Sequence, residues 1–380
     1  MALTVATAGT GVARTAHYVT PTGASAPIQT LLLEPQRTNL ALRSEDVTNA
    51  AWTTSAVGTV AVADQTTAPD GLVTADLFRE DTSTGNHYNS QSPSVTNVAH
   101  TFSVFYKLAA GTRKIALYHA GTNVGRQFDA SGNNDAGAFN VPAGGYGVET
   151  YGNGWFRAWI TTTPAAGTAS WRMWLVTSAN VLNYTGDGTS GFYVWGAQVE
   201  AGAVPSSYIK TEGTTVTRNA DSFYLPFTAP PQQMTVYVRG VSESPNPSTS
   251  WLFIGDAAAA APRLRMDFGV SRVGMTQNNG STEVTDAGPA ASLAARGTMQ
   301  EGRFVLFADG SVQANVSLGG AAEISGVRTA ANALPALWSA TRLYVGQRGG
   351  TAISQFAYTH VAVVPGVQSM AEMRAIAGVS

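Results

Sequence analysis

The sequence predicts an all-β fold, in which two β-sandwich domains follow a short N-terminal arm and a short helix closes the chain. Charged residues make up only 12% of the 380 residues and glycine occurs 40 times, a composition typical of many short strands joined by turns. Runs rich in β-branched and aromatic residues alternate with clusters of Gly, Asn, Pro and Asp, which favours sandwiches over βαβ units. The length suffices for two domains, each with its own core.

Residues 1–28 form a candidate N-terminal anchoring arm. They are small and polar, rich in Gly and Thr, and carry few large apolar side chains. Because such a segment cannot form a core by itself, we expect it to become ordered against a neighbouring subunit or a larger assembly; a frayed tail is the simpler alternative. The segment lacks the basic start and long apolar core of a signal peptide.

Residues 29–221 are predicted to form the first sandwich. The segment His100–Gly111 alternates with period two and places Phe102, Val104 and Tyr106 on one face. The final strand candidate, Gly191–Val199, is aromatic or β-branched at successive positions, so we expect both of its faces to be buried. The other strand candidates in this domain are Thr59–Val62, Val73–Arg79, His100–Lys107, Lys114–Tyr118, Trp155–Thr161 and Ser170–Val176.

Residues 222–233 are a candidate linker, because the segment 225–233 holds three prolines that favour an extended spacer. Residues 234–380 are predicted to form the second sandwich. Within it, Asp309-Gly310 lies between two strand candidates and is a strong hairpin signal. The strand candidates of this domain are Met234–Val241, Ser250–Ile254, Arg263–Phe268, Arg303–Ala308, Ser311–Leu318, Thr341–Val345 and Phe356–Val364.

The end of the chain holds the one good helix candidate of the sequence. Ser369 and Glu372 have the spacing of a capping box, with Ser369 as the N-cap and Glu372 three residues further on. Gly378 lies where a left-handed C-terminal cap would be expected. A short helix is therefore predicted to close the second sandwich.

Composition excludes several classes of partner and chemistry. The formal net charge of −2 gives no reason to expect a nucleic-acid or anionic-membrane partner, and no apolar run approaches the length of a membrane span, so we expect a soluble chain. The chain has no cysteine, which excludes disulfides and Cys-ligated metals. Its five histidines have no metal-ligand spacing, and no nucleophile motif occurs. We therefore expect no cofactor and no bound metal.

Four motifs occur in the order of a known module. They are LLLEPQRTNL at residues 31–40, APDGLVTAD at 68–76, GNGWFRAWI at 152–160 and the segment 186–221. In this order they resemble a recurrent module of tailed-bacteriophage tail fibres, head fibres and related structural proteins, which itself resembles a carbohydrate-binding-module jelly roll. An opening of the type "NL…N…W" belongs to that pattern, and here it is formed by Asn39-Leu40, Asn49 and Trp52.

The resemblance covers residues 29–221 and implies a protein on the surface of a virion. The second domain is similar to concanavalin-A-like or laminin-G-like sandwiches through its hairpin around Asp309-Gly310. Together the two resemblances imply two jelly-roll-like sandwiches in a structural protein of the phage particle.

Arg172 and Trp174 are the candidate carbohydrate-binding residues. Sugar-binding sandwiches stack pyranose rings on exposed aromatic side chains, with Arg, Asn or Gln reaching the hydroxyl groups. In TASWRMWLV, Arg172 and Trp174 share one face of a strand while Trp171 and Met173 share the other. The alternative is that these aromatic rings fill the sandwich core or a subunit interface, where aromatic residues also dominate.

Calcium is common in the carbohydrate-binding families that the first domain resembles, and one ligand usually comes from an Asp in the last strand. The corresponding segment here, Tyr193–Ala197, has no carboxylate, so no metal site is predicted. Asp64, Asp76 and Asp187 could supply oxygen ligands only if the fold brought them together.

These observations favour a non-enzymatic virion structural protein, namely a tail or head fibre or decoration subunit. We expect it to be assembled in the host cytoplasm, to contact other capsid or tail proteins, to form a homotrimer and to contact host surface glycans. A receptor-recognition lectin of the tail is the alternative. A polysaccharide-degrading enzyme is a third hypothesis, and it would require two carboxylates that converge in the fold. The pairs Glu45-Asp46 and Glu80-Asp81 are more simply interpreted as loop charges.

Overall fold

The chain is almost entirely β, which confirms the predicted fold class of two jelly-roll-like β-sandwiches and a short C-terminal helix. A computed structural model of the protein describes residues 18–19, 25–26, 31–54, 58–137, 139–140, 145–221, 223–226, 233–242, 249–255, 263–268, 273–278, 283–286, 299–309, 311–318, 321–325, 342–345, 347–348, 351–352 and 356–377.

Two compact units make up the chain. The central unit comprises residues 37–218, and the flanking unit comprises residues 1–36 together with residues 219–380. The flanking unit is therefore discontinuous in sequence, and the central unit is inserted within it.

The elements are numbered in chain order. The N-terminal strands are β1 (Tyr18–Val19), β2 (Ser25–Ala26) and β3 (Leu31–Leu33). The central strands are β4 (Arg37–Asn39), β5 (Thr53–Thr54), β6 (Thr59–Thr67), β7 (Val73–Glu80), β8 (Thr84–Gln91), β9 (Ser94–Val95), β10 (His100–Ala110), β11 (Lys114–His119), β12 (Val124–Phe128), β13 (Asn134–Asp135), β14 (Tyr146–Gly152), β15 (Trp155–Thr162), β16 (Gly167–Thr168), β17 (Trp171–Val176), β18 (Asn183–Thr185), β19 (Gly191–Ala201) and β20 (Val216–Arg218). The C-terminal elements are β21 (Phe223–Pro226), β22 (Met234–Ser242), β23 (Thr249–Gly255), β24 (Arg263–Phe268), β25 (Val273–Asn278), β26 (Glu283–Asp286), β27 (Met299–Leu306), β28 (Val312–Leu318), β29 (Ile324–Ser325), β30 (Arg342–Val345), β31 (Gln347–Arg348), β32 (Thr351–Ala352), β33 (Phe356–Pro365) and α1 (Met370–Ala377).

The central unit is built from two antiparallel sheets. One has the strand order β14-β15-β10-β19-β7-β6, and the other has the order β13-β12-β11-β17-β8-β18, with β5 also pairing with β8. The chain passes repeatedly from one sheet to the other, for example from β7 to β8 and from β10 to β11, as it does in a jelly roll. We refer to them as the six-stranded sheet and the seven-stranded sheet.

Large aromatic side chains fill the space between these two sheets. They come from alternate positions of the facing strands, as the period of two along a strand requires. Strand β19 is buried along nearly all of its length, which confirms the prediction that both of its faces are covered. The largest fully buried side chains of this core are Phe78, Phe102, Tyr106, Phe128, Trp171 and Phe192.

The outer face of the six-stranded sheet is also covered. Phe105, Trp155 and Trp195 are buried there, with Tyr193 and Tyr208 packed against them. Because the connector that follows β19 supplies Tyr208, this face is closed by the chain itself. The outer face of the seven-stranded sheet has a smaller buried cluster, edged by the partly exposed Tyr88, Tyr118 and Leu182.

Asn39, from the "NL…N…W" opening, joins the first and last parts of the central unit. Its Nδ2 donates to the carbonyl oxygens of Ala197 and Ile209, at 3.1 and 2.8 Å. Its Oδ1 accepts from the backbone N–H groups of Ala41 and Val199, at 3.0 and 3.1 Å. This buried amide thus satisfies four backbone groups, so the motif has a structural role.

The flanking unit contains two further antiparallel sheets, of order β21-β30-β23-β24-β25-β26 and β29-β28-β27-β22-β33-β3. The predicted hairpin is confirmed, because β27 pairs with β28 and the N–H of Phe307 donates to the carbonyl of Ser311 at 2.9 Å. Helix α1 packs Met370 and Met373 against Tyr237 of β22. The helix is further held by Arg374, whose Nε donates to the buried Glu301 at 3.0 Å.

The capping box at the start of α1 forms as predicted. The backbone N–H of Ser369 donates to the Glu372 carboxylate at 2.7 Å, and that of Glu372 donates to the Ser369 hydroxyl at 3.2 Å. The pKa of Glu372 is lowered, chiefly by the hydrogen bond from the Ser369 backbone. The predicted cap at Gly378 lies outside the described residues.

Two boundaries differ from those expected from the sequence. Leu31–Leu33 was assigned to the first sandwich, but it pairs with β33 of the flanking unit, so the central unit begins at Arg37 and not at residue 29. Phe223–Pro226 was assigned to the 222–233 linker, but it forms a strand paired with β30. In both places the partner strand is distant in sequence, and local composition does not reveal it. Within the 1–28 arm, β1 pairs with β2.

None of the helices in the described part of the chain has the length and apolar character needed to cross a membrane.

Candidate functional site

Strand β17 presents its two faces as the sequence predicts. Trp171 and Met173 are buried in the core between the two sheets. Trp174 belongs to a separate cluster on the outer face of the seven-stranded sheet, and Arg172 lies on the same side. The two predicted site residues are therefore brought to one face, at alternate positions of one strand.

Trp174 is only 5% exposed. Its ring is stacked on that of Tyr88, with centroids 4.9 Å apart, and it meets the rings of Tyr118 and Phe139 edge-on, at 5.9 and 6.4 Å. The indole thus forms the floor of the outer face and leaves little ring surface for a sugar. The aromatic surface that remains open on this face belongs to its neighbours Tyr88 and Tyr118.

Arg172 lies between two tyrosines that come from the two neighbouring strands. Its guanidinium carbon is 4.7 Å from the ring centroid of Tyr88 on β8 and 6.0 Å from that of Tyr118 on β11, distances at which a cation is attracted to a ring face. All three side chains are partly exposed. We call Tyr88, Arg172 and Tyr118 the tyrosine–arginine strip.

The strand register explains why the strip forms. Tyr118 is the direct cross-strand partner of Arg172, and Tyr88 is the direct partner of Trp174. Side chains of directly opposed residues on one face lie close enough to contact each other. Sequence reasoning missed both tyrosines, although KIALYH alternates and places Tyr118 on the face opposite Leu117; the register that aligns it with Arg172 depends on the tertiary fold.

The surroundings hold Tyr118 in place. Its hydroxyl donates to the Asn123 side chain at 2.9 Å. Next to it, Gly125 leaves room for the aromatic cluster, because a Cβ there would lie 2.7 Å from Phe139 and 3.0 Å from the Tyr118 ring. A larger residue would displace one of these rings. The strip is therefore a fixed surface rather than a loose set of side chains.

A polar cavity of about 160 Å³ lies elsewhere in the central unit. Its carboxylates come from Glu45, Asp46, Asp64 and Glu212, and its cations from Arg43 and Lys210. Two of these carboxylates are held in ion pairs. Lys210 contacts Glu45 at 2.6 Å, and Arg43 contacts Glu212 at 3.1 Å.

Asp76 is buried and bonded to the backbone of Asp64 on β6, although it is not among the residues that line the cavity. Its carboxylate accepts hydrogen bonds from the backbone N–H groups of Val47, at 2.7 Å, and Asp64, at 3.0 Å. Burial nevertheless raises the pKa of Asp76 to about 6, and the charges of Asp46 and Asp64 act in the same direction.

The possible calcium ligands do not converge. Asp187 belongs to a separate network, in which its side chain accepts from Thr189 and Ser190 and lies 3.6 Å from Arg113. Asp64 and Asp76 are linked through a backbone N–H. Across the described residues there is no group of three or more acidic or histidine side chains arranged to hold a metal ion.

Glu80 of the pair Glu80-Asp81 is fully buried and belongs to the same network as Asp187. It accepts two hydrogen bonds from Arg113, at 2.8 and 2.7 Å, and one from the Tyr184 hydroxyl at 2.7 Å. The expectation that Glu80 is a solvated loop charge is therefore wrong. Its carboxylate joins β7 to the loops at one end of the sandwich.

The similarity of this chain to known proteins is confined to solved structures. No family model matches it, and no curated protein matches it. Among solved structures, it is similar to the CBM40 module of the Ruminococcus gnavus IT-sialidase bound to α2,3-sialyllactose, with 19% identity over 39% of this chain and 84% of that one, and a TM-score of 0.32.

Two further likenesses cover more of the chain. The LG1–3 region of the laminin α2 chain has 12% identity over 74% of this chain and 65% of that one, with a TM-score of 0.28. The CBM22-1–CBM22-2 tandem domain of Paenibacillus barcinonensis Xyn10C has 12% identity over 90% of this chain and 100% of that one, with a TM-score of 0.24. All three are β-sandwich proteins of the carbohydrate-binding-module or laminin-G-like kind.

Proposed function

We propose that this chain is a non-enzymatic glycan-binding protein and that the tyrosine–arginine strip is its binding site. The observation that carries the proposal is the position of Arg172 between Tyr88 and Tyr118 on the accessible outer face of the seven-stranded sheet. Tyrosine rings offer apolar surface to a pyranose ring, and a guanidinium offers several N–H donors to its oxygens. Trp174 supports the strip from below.

We further propose that the protein acts on the surface of a tailed-bacteriophage particle, as a tail or head fibre or decoration subunit. The four sequence motifs between residues 31 and 221 support this proposal. In that setting its partners would be capsid or tail proteins and further copies of itself in a trimer, with host surface glycan as the ligand.

The polar cavity supplies the one observation that favours a polysaccharide-degrading enzyme, since four carboxylates meet there. A glycosidase needs one carboxyl group as an acid and another as base or nucleophile. Here Glu45 and Glu212 are engaged by Lys210 and Arg43 instead. These ion pairs support the proposal of a non-enzymatic protein.

Binding to an array of bacterial surface glycans tests the main proposal. We expect Tyr88→Ala and Tyr118→Ala each to weaken binding to the best glycan by about 3- to 10-fold, the value of one aromatic contact. Tyr151→Ala is the matched control, since Tyr151 is exposed on β14 of the other sheet. Equal binding by the parent and all three variants would refute this site. Release of reducing sugar by the parent protein, lost in Glu45→Gln, would favour the enzyme hypothesis.

The virion proposal has a separate test. Purified protein should be a trimer by mass, and an antibody against it should label the intact particle. Removal of residues 1–28 should abolish labelling of particles while both sandwiches stay folded. Full decoration by the truncated protein would show that the anchor lies elsewhere.

A further inference from the structure

We propose that the tyrosine–arginine strip recognises the carboxylate of an acidic sugar, with the Arg172 guanidinium as its counter-ion. This inference rests on the proposed glycan-binding function and narrows its ligand to one class, glycans with hexuronic or nonulosonic acid units.

The first argument is that Arg172 has no counter-ion of its own. Among the described residues, no carboxylate lies within 4.0 Å of its guanidinium, and its one side-chain hydrogen bond runs from Nε to the Ser170 hydroxyl at 3.3 Å. The side chain is partly buried between two tyrosine rings. Removing a charge from water without a partner is costly, so the position favours an external anion.

Two other cations of the central unit are neutralised internally. Arg113 makes a double hydrogen bond to the buried Glu80, and Lys114 contacts Asp135 at 2.6 Å. Arg172 differs from both in lacking such a partner, so an anion brought by a ligand can pair with it.

The second argument concerns shape. A guanidinium is planar and binds a carboxylate through two parallel N–H···O bonds. The Nε of Arg172 is used by Ser170, while its two terminal nitrogens make no hydrogen bond to a described residue. The Tyr88 ring lies 4.7 Å from the guanidinium carbon, and an apolar neighbour lowers the local dielectric and so strengthens a bond made in the guanidinium plane. A carboxyl group at the edge of a pyranose ring fits this arrangement, with Tyr88 or Tyr118 beside the sugar.

The test compares each acidic oligosaccharide on the array with the same oligosaccharide after reduction of its carboxyl groups to alcohols. We expect the parent protein to bind the acidic form about 10- to 100-fold more tightly, the contribution of charge-assisted hydrogen bonds. Arg172→Gln should remove this preference, so that the acidic and the reduced forms bind with the same, weaker affinity. Arg172→Lys should lose most of it, since an ammonium group cannot bind in a bidentate manner.

Arg126→Gln is the matched control. Arg126 also lies over a tyrosine ring, 3.9 Å from the centroid of Tyr146, but it is not part of the strip. This variant should keep the full preference for the acidic form. Thermal unfolding of each variant shows whether it is folded before its binding is compared.

The outcomes separate the two proposals. No binding to any glycan, acidic or reduced, would overturn the proposed function. Equal binding of acidic and reduced forms would leave glycan binding intact and overturn the carboxylate assignment. Equal binding of a phosphorylated glycan would overturn the assignment to a carboxylate, because a guanidinium binds phosphate in the same bidentate manner. An unchanged preference for the acidic form in Arg172→Lys would overturn the bidentate contact, because a point charge would then suffice.

Discussion

At the scale of single residues, buried polar side chains hold the central unit together by bonding to the backbone. Asn39 satisfies four backbone groups, and Asn89 donates to the carbonyl of Val47 at 3.1 Å. A buried polar group that keeps its partners stabilises one arrangement of the chain, because any other arrangement would leave backbone groups unsatisfied.

Asp76 makes the stability of the central unit depend on pH. Burial raises its pKa from the ordinary 3.8 to about 6 in the folded state, so the folded protein binds a proton more tightly than the unfolded chain does. The corresponding stabilisation is present below pH 4 and is lost as the pH rises to about 6. We expect the free energy of unfolding to fall by up to about 3 kcal/mol over this range.

Urea unfolding at several pH values measures this effect. In Asp76→Asn the fall between pH 4 and 6.5 should disappear, whatever the variant's absolute stability. Asp81→Asn is the control, because the pKa of Asp81 is lowered by its hydrogen bonds with Ser83, and its contribution changes only below pH 4. An unchanged slope in Asp76→Asn would contradict the assignment.

The sequence predicts the faces of β17 but not their exposure. Alternation is a local property, so Arg172 and Trp174 could be placed together on the outer face. The burial of Trp174 depends on Tyr88, Tyr118 and Phe139, which come from other strands and a loop. The tyrosine–arginine strip cannot be predicted from local sequence either, because the strand register brings its two tyrosines next to Arg172.

At the scale of elements, the strands rich in β-branched and aromatic residues were predicted and the polar ones were missed. Strand β8, TGNHYNSQ, lies inside the seven-stranded sheet and pairs with β17, β18 and β5. Its buried His87 and Asn89 find backbone partners, as when the His87 ring contacts the carbonyl of Tyr184 at 3.1 Å. Strand propensity describes apolar packing, and it cannot anticipate a strand stabilised by such bonds.

Strand β19 depends on a glycine at its bulge. Gly196 has a φ of +63°, and the register between β10 and β19 shifts beside it. A Cβ there would lie 2.9 Å from the Phe105 ring. We expect Gly196→Ala to lower the free energy of unfolding by about 1–2 kcal/mol for the left-handed backbone alone, with a further loss from the contact.

Gly152→Ala separates these two contributions in a chemical-denaturation experiment. Gly152 has a φ of +78°, but nothing lies within 4 Å of the position of its Cβ. The control should therefore lose only the backbone contribution. Equal losses in the two variants would show that the Phe105 ring yields without cost.

At the scale of the whole molecule, two sandwiches were foreseen but their connection was not. Local sequence patterns favour domains that follow one another along the chain, whereas here the flanking unit is interrupted by the central unit. The evidence is strand pairing over long separations, such as Leu31–Leu33 with β33, which no local pattern contains.

Fragments of the chain test the division. Residues 37–218 should unfold cooperatively on their own, because this unit holds two complete sheets and their core. A fragment with the sequence-derived bounds 29–221 should gain no stability and should self-associate more, since its three leucines at 31–33 lack their partner strand. Calorimetry and light scattering provide the readouts. A folded 29–221 fragment beside an unfolded 37–218 fragment would contradict the division.

The two ends of the central unit lie next to each other, and so do the two points of the flanking unit between which it is inserted. Arg37, at one end of the unit, pairs with Arg218 at the other. In the flanking unit, the N–H of Glu34 donates to the Asp221 carboxylate at 2.9 Å, and the N–H of Asp221 donates to the carbonyl of Glu34 at 2.9 Å. An insert with adjacent ends can be exchanged without altering the path of its host. We therefore expect residues 37–218 to be exchangeable as a cassette while the flanking unit keeps its own strand pairing.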